Sequence, residues 1–196
     1  MESYGKISFK DIHSRKFYES IRDSLRKEIV KRKKNRRIYI GPYVTLYFEN
    51  RATILHQINE MVFIENAKKE QIEDEIGAYK TLVPNGKELV ITLMVEIDNP
   101  IKRSEILLKL GGIEGKVEIK VNDLVIKGKP EKDVERTTED GKASSVQFIH
   151  IPFTGQMVNK FKNIDNNIII GINHKNYNHY SSINPETRRE LLGDFA

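Results

Sequence analysis

The sequence predicts an α+β fold: a mostly antiparallel sheet of about five strands packed with an N-terminal helical layer. Two observations carry the prediction. Apolar residues recur at helical spacing as far as residue 83, and beyond Pro84-Asn85-Gly86 they alternate at every second position in short runs. The 196 residues, 38% hydrophobic and 31% charged, suffice for one compact soluble domain. One domain over 1–196 is expected, with a helical half at 1–83 and a mixed strand and helix half at 84–196.

Phe17, Ile21, Leu25 and Ile29 form a stripe on a first helix from near Asp11, a plausible N-cap, to about Lys34. A short extended "RIYI" follows, and Gly41-Pro42 punctuates the chain. A long second helix is expected from Pro42 or Thr45 to Ile64, and a third over "KKEQIEDEIGAYKTL". "ELVITLMVEID" reads as a strand, and "NPIKRSEILLKL" as a helix with Asn99 as N-cap and Pro100 at its first position. Strands are placed near 89–97, 116–121, 124–128, 145–152 and 167–173, the second and third joined by an Asn122-Asp123 turn. "PEKDVERTTEDGKASS" is too polar to pack and reads as a mobile surface loop. "TGQMVNKFK" reads as a helix with Thr154 near its start, "HKNYNHY" as a loop, and "NPETRRELLGDF" as a closing helix.

With no cysteine, the chain cannot form a disulfide, a thiolate nucleophile or a cysteine-ligated metal or cluster, and the identity of any cofactor stays open. No apolar run approaches the roughly 18 residues of a membrane span, and the first ten residues lack the apolar block of a secretory signal, so a cytoplasmic protein without a membrane partner is expected. The formal charge of +5 is uneven. Residues 1–37 hold 13 Lys and Arg against 5 Asp and Glu, leaving 20 against 23 for the rest.

On the expected second helix, at about 100° per residue, Tyr47, Ile54, Ile58, Met61 and Val62 share one face. Asn50, Arg51, Gln57 and Glu65 fall in or beside that sector, so they need partners, as a structural network or as the lining of a pocket. Glu49, His56 and Glu60 fall opposite. That assigns them to a solvated face or a partner surface ahead of a metal site, although His56 and Glu60 have ligand spacing. His174 and Tyr177, after a buried strand, are further pocket candidates, while His150, His174 and His179 lie on adjoining elements as metal-ligand candidates without a recognised spacing. Lys31, Arg32, Lys33, Lys34, Arg36 and Arg37 form the one nucleic-acid candidate, with a solvated helix end as the simpler reading. No P-loop, dinucleotide fingerprint, nucleophile elbow or H-E-x-x-H is present, and no catalytic residue is assigned.

"RRIYIGPYVTLYFENRATILHQINEMVFIE" resembles the core segment of an uncharacterised bacterial and archaeal family, a domain of unknown function often encoded beside rubrerythrin. "HKNYNHY" resembles the family's closing His-x-Asn-Tyr segment, with Lys175 where the family often has Pro. The resemblance implies an accessory or adaptor protein in peroxide or iron metabolism, with a rubrerythrin-type or iron–sulfur protein as partner and a link to oxidative stress. The alternatives are a metal-dependent enzyme using His150, His174 or His179 with Glu65 or Tyr177, and a nucleic-acid-binding protein acting through the basic arm.

Overall fold

A computed structural model describes residues 4–131, 137–138 and 140–196. In chain order the elements are α1 (Arg15–Lys34), β1 (Arg37–Ile40), β2 (Val44–Glu49), α2 (Arg51–Ile64), α3 (Lys69–Tyr79), β3 (Glu88–Val95), α4 (Pro100–Lys109), β4 (Val117–Val121), β5 (Leu124–Lys127), β6 (Lys129–Pro130), β7 (Val146–Pro152), α5 (Gly155–Lys162), β8 (Ile168–His174), β9 (Tyr177–Ser182) and α6 (Pro185–Leu192). The fold is α+β, but its strands form two antiparallel sheets rather than one. The first runs β1-β2-β3-β7-β6 and the second β5-β4-β8-β9.

The strands form because their apolar residues alternate. In β3, Leu89, Ile91, Leu93 and Val95 enter one cluster with Ile119, Ile170 and Ile172 of the second sheet, whereas Val90 joins a separate cluster with Ile54 and Ile58 of α2. Burying each large aliphatic side chain contributes about 1.5–3 kcal/mol, so a one-residue slip that turned Thr92 into the shared cluster would be strongly disfavoured. The first sheet is thus covered on both faces, by the second sheet on one and by α2 on the other.

The long helix expected from Pro42 or Thr45 is replaced by a turn, a strand and a shorter helix. Val44, Leu46 and Phe48 are buried in the shared cluster while Tyr47 between them is not, a period of two that only a strand provides. Asn50 then caps α2, its side chain accepting from the Thr53 N–H at 2.9 Å while the Thr53 hydroxyl accepts from the Asn50 N–H at 3.0 Å. The first 83 residues are therefore not all helical. α1 begins at Arg15, because Asp11 belongs to a short 3-10 turn, where it accepts from the N–H and hydroxyl of Ser8. Of its expected stripe Ile29 is buried and Ile21 and Leu25 are partly so, but Tyr18 takes the place of Phe17. Tyr18 is 1% exposed and Phe17 52%.

The segment "HKNYNHY" is the tip of the β8–β9 hairpin, not a loop, with His174 paired to Tyr177. The polar stretch 130–145 falls partly on residues outside the described set; of the remainder, Pro130 ends β6 and Thr137 bridges Ala143. Among the described residues no helix is long and apolar enough to cross a membrane.

Candidate functional site: an acid-lined cavity over the first sheet

On the face of the first sheet turned toward α2, β2 presents Thr45, Tyr47 and Glu49, and β3 presents Thr92 and Met94, with Glu96 just past its end. Thr53, Ile54 and Gln57 of α2 and Tyr79 of α3 stand over this face and enclose a cavity of about 450 Å³.

Glu49 lines it from a buried position, 8% exposed. One of its oxygens accepts from the Thr92 hydroxyl at 2.8 Å and the other from the Thr53 hydroxyl at 2.6 Å. A carboxylate offers about four acceptor positions, so two are left over in a side chain that lines the cavity. Glu96 is exposed, and it accepts from the Tyr47 hydroxyl at 3.1 Å and from the Thr45 hydroxyl. Burial, reinforced by the hydrogen bond to Glu96, raises the Tyr47 pKa, so this hydroxyl stays protonated and donating. Tyr47 and Thr92 are direct partners in the β2–β3 register, so the two carboxylates lean toward one cross-strand pair. Lys33 of α1 also lines the space. Among the described residues, Glu49, Glu96 and Lys33 make no ion pair.

Arg36 holds the junction that carries Glu49. It is 1% exposed, donates to the backbone carbonyls of Phe48 at 2.9 Å and Glu49 at 3.2 Å, and pairs with buried Asp194. The arrangement clamps α6 and the segment after it to the β2–α2 corner.

Of the residues singled out from sequence, the structure brings Glu49, Gln57 and Lys33 together at the cavity. Asn50 is the buried cap of α2. Arg51 leaves the cavity side, pairing with Asp11 at 2.5 Å and donating to the Lys6 carbonyl at 3.3 Å. Glu65 is exposed at the end of α2.

The expected solvated face of Glu49, His56 and Glu60 is not one. Glu49 is in a strand, while His56 and Glu60 pack against α1, because α2 is covered by α1 as well as by the sheet. There Glu60 accepts two parallel bonds from Arg22, each 2.8 Å, and one from Tyr18 at 2.8 Å; the Tyr18 hydroxyl lies 3.3 Å from His56 Nδ1. Arg22 above all, with help from Tyr18, lowers the Glu60 pKa to about 2, and burial lowers that of His56.

The three candidate metal histidines are not brought together. His150 pairs with Glu88 at 3.1 Å, which raises its pKa against the opposing effect of burial. His174 Nε2 lies 3.2 Å from the Gly111 carbonyl, and its Nδ1 accepts from the Asn176 N–H at 3.2 Å. His179 stands edge-on to Tyr177 with ring centroids 4.6 Å apart. Among the described residues no three His, Asp or Glu side chains converge as a metal-binding group. Tyr177 has a backbone role: its hydroxyl donates to the Ile40 carbonyl at 2.5 Å and accepts from the N–H groups of Tyr43 at 3.0 Å and Val44 at 3.1 Å, fixing the β1–β2 turn.

The basic run is also divided. Arg36 is buried and unavailable to phosphate, and Arg32 points to Glu28 and Glu190 at 3.7 and 3.9 Å. Arg37 lies over the Tyr39 ring at 5.7 Å, and Lys31 and Lys34 remain exposed. Thr45, Thr53, Thr92 and Glu96 were not foreseen as site residues. For Thr45, Thr92 and Glu96 the signal was polar residues alternating with apolar ones along the two strand segments; Thr53, on α2, carried none.

These features define an α+β protein of two antiparallel sheets with an acid-lined cavity over one of them. The chain belongs to the family described as "Protein of unknown function (DUF3501)", whose match covers residues 6–195. It is similar to a solved structure, a novel protein of unknown function from Burkholderia pseudomallei K96243, with 30% sequence identity and a TM-score of 0.90 over 98% of this chain and 100% of that one. No curated protein matches the chain.

Proposed function

We propose that the protein is a cytoplasmic accessory protein of peroxide or iron metabolism that works by binding a small ligand in the cavity beneath α2. Glu49 carries the binding part of this reading. Holding a carboxylate away from water is costly, two threonine hydroxyls offset only part of that cost, and among the described residues no cation completes the balance. A fold optimised for stability alone would place an apolar residue there. The link to peroxide or iron metabolism, with a rubrerythrin-type or iron–sulfur protein as partner, rests on the family resemblance.

Thermal-shift measurements against a panel of amines, amino acids, sugars and nucleotides test the binding reading. At least one compound should raise the melting temperature of the native protein and fail to do so for Glu49→Gln. A panel without any Glu49-dependent shift would refute it. Affinity purification from peroxide-stressed cells tests the partner, and reproducible absence of rubrerythrin-type and iron–sulfur proteins would remove that part alone.

A further inference from the structure

We infer that the cavity takes a linear aliphatic diamine or polyamine, a reading that rests on the cavity being a ligand site. Few charges face the space: buried Glu49, exposed Glu96 and Lys33, for a net of one negative charge. Glu49 is more than nine-tenths buried, lines the cavity and, among the described residues, has hydroxyls but no cation against it. Its spare acceptor positions suit a primary ammonium, which brings three donors and no acceptor.

The wall between the two carboxylates is of another kind. Ile54, Leu82, Met94 and Phe148 are apolar, and Tyr47 and Tyr79 add aromatic surface. Such a wall covers methylene groups and attracts a cation through ring faces, while the hydrogen-bonding groups of Gln57, Thr53, Thr92 and the two tyrosines are spread around it. Glu49 lies at one end of the β2–β3 register and Glu96 just past the other, so two acids separated by a largely apolar wall match a chain of methylenes bearing an ammonium at each end. Lys33 acts against such a ligand and in favour of releasing it, so its removal should tighten binding, a sign opposite to that expected for an anionic ligand.

Calorimetric titration of the full chain with putrescine, spermidine, butylamine and butanediol is the test. Both polyamines should bind, butylamine about tenfold or more weakly, and the uncharged butanediol without detectable heat. Glu49→Gln and Glu96→Gln should each weaken putrescine by about tenfold or more, and Lys33→Met should strengthen it several-fold. Exposed Glu96 provides the decisive variant should Glu49→Gln fail to fold. Equal binding of butanediol and putrescine, or weaker binding after Lys33→Met, would overturn the diamine assignment. Silence toward every amine beside a Glu49-dependent response to another compound of the panel would sink this inference and leave the binding function standing; silence toward all compounds would sink both.

Discussion

Replacing Arg36 by methionine removes one partner of a fully enclosed ion pair, and its cost can be worked from the contacts. The guanidinium is 1% exposed and Asp194 0%, so the substitution takes the cation away from a carboxylate that solvent cannot reach and also frees the carbonyls of Phe48 and Glu49. Truncating one side of such a pair costs about 3–5 kcal/mol. That is a large share of a total stability of about 5–15 kcal/mol, and for a chain of this size it lowers the melting temperature by about 6–20 °C. The protein has no tryptophan, so urea denaturation is best followed by far-ultraviolet circular dichroism. The loss should hardly change with added salt, because an enclosed pair is little screened. The double variant Arg36→Met, Asp194→Leu should recover much of it, since both charges then leave together. A loss below about 1 kcal/mol for the single variant, or a double variant no more stable than the single, would refute this account of the clamp.

Glu60 supplies a pH dependence. Its folded pKa, about 2, lies below the ordinary value of 4.5, so its contribution is present above pH 4.5 and is lost as pH falls from there toward 2; the shift corresponds to about 1–3 kcal/mol after allowance for screening at the partly exposed pair. Glu60→Gln should flatten that part of an acid-denaturation profile, and an unchanged slope would count against the assignment. Tyr177→Phe removes one donor and one acceptor shared by three backbone groups and should cost about 2–4 kcal/mol in chemical denaturation, with β1–β2 amides losing protection from hydrogen exchange first. Gly41→Ala should cost about 1–3 kcal/mol, because φ is +64° and the new Cβ would lie 2.9 Å from the fixed Tyr177 hydroxyl and 2.6 Å from the His179 ring; native stability in that variant would contradict the geometry.

Sequence reasoning succeeded where local chemistry decides structure. Asn99 with Pro100 caps α4, Thr154 caps α5, and the Asn122-Asp123 turn joins β4 to β5. These signals lie within a few residues of the elements they define. It failed at "VTLYFE", whose residues suit an amphipathic helix almost as well as a strand, so the alternation of Val44, Leu46 and Phe48 was absorbed into a helical wheel. That error sent Glu49 to solvent, whereas His56 and Glu60 do stand opposite Ile54 and Ile58 and were missed because α1 packs over that side. The division into two sheets was not legible, because strand partnership depends on contacts far apart in the chain. The same reason hid most of the cavity: Thr92 and Glu96 meet Glu49 and Tyr47 only through the β2–β3 register.

The Arg36 clamp has a consequence for biosynthesis. Its carboxylate partner lies 158 positions later in the polypeptide. At ribosomal speeds of about 5–20 residues per second, some 8–30 s separate the appearance of the cation from that of its counter-ion. Throughout that interval the corner that positions Glu49 must wait, hydrated and unsealed, for a strip of chain not yet translated.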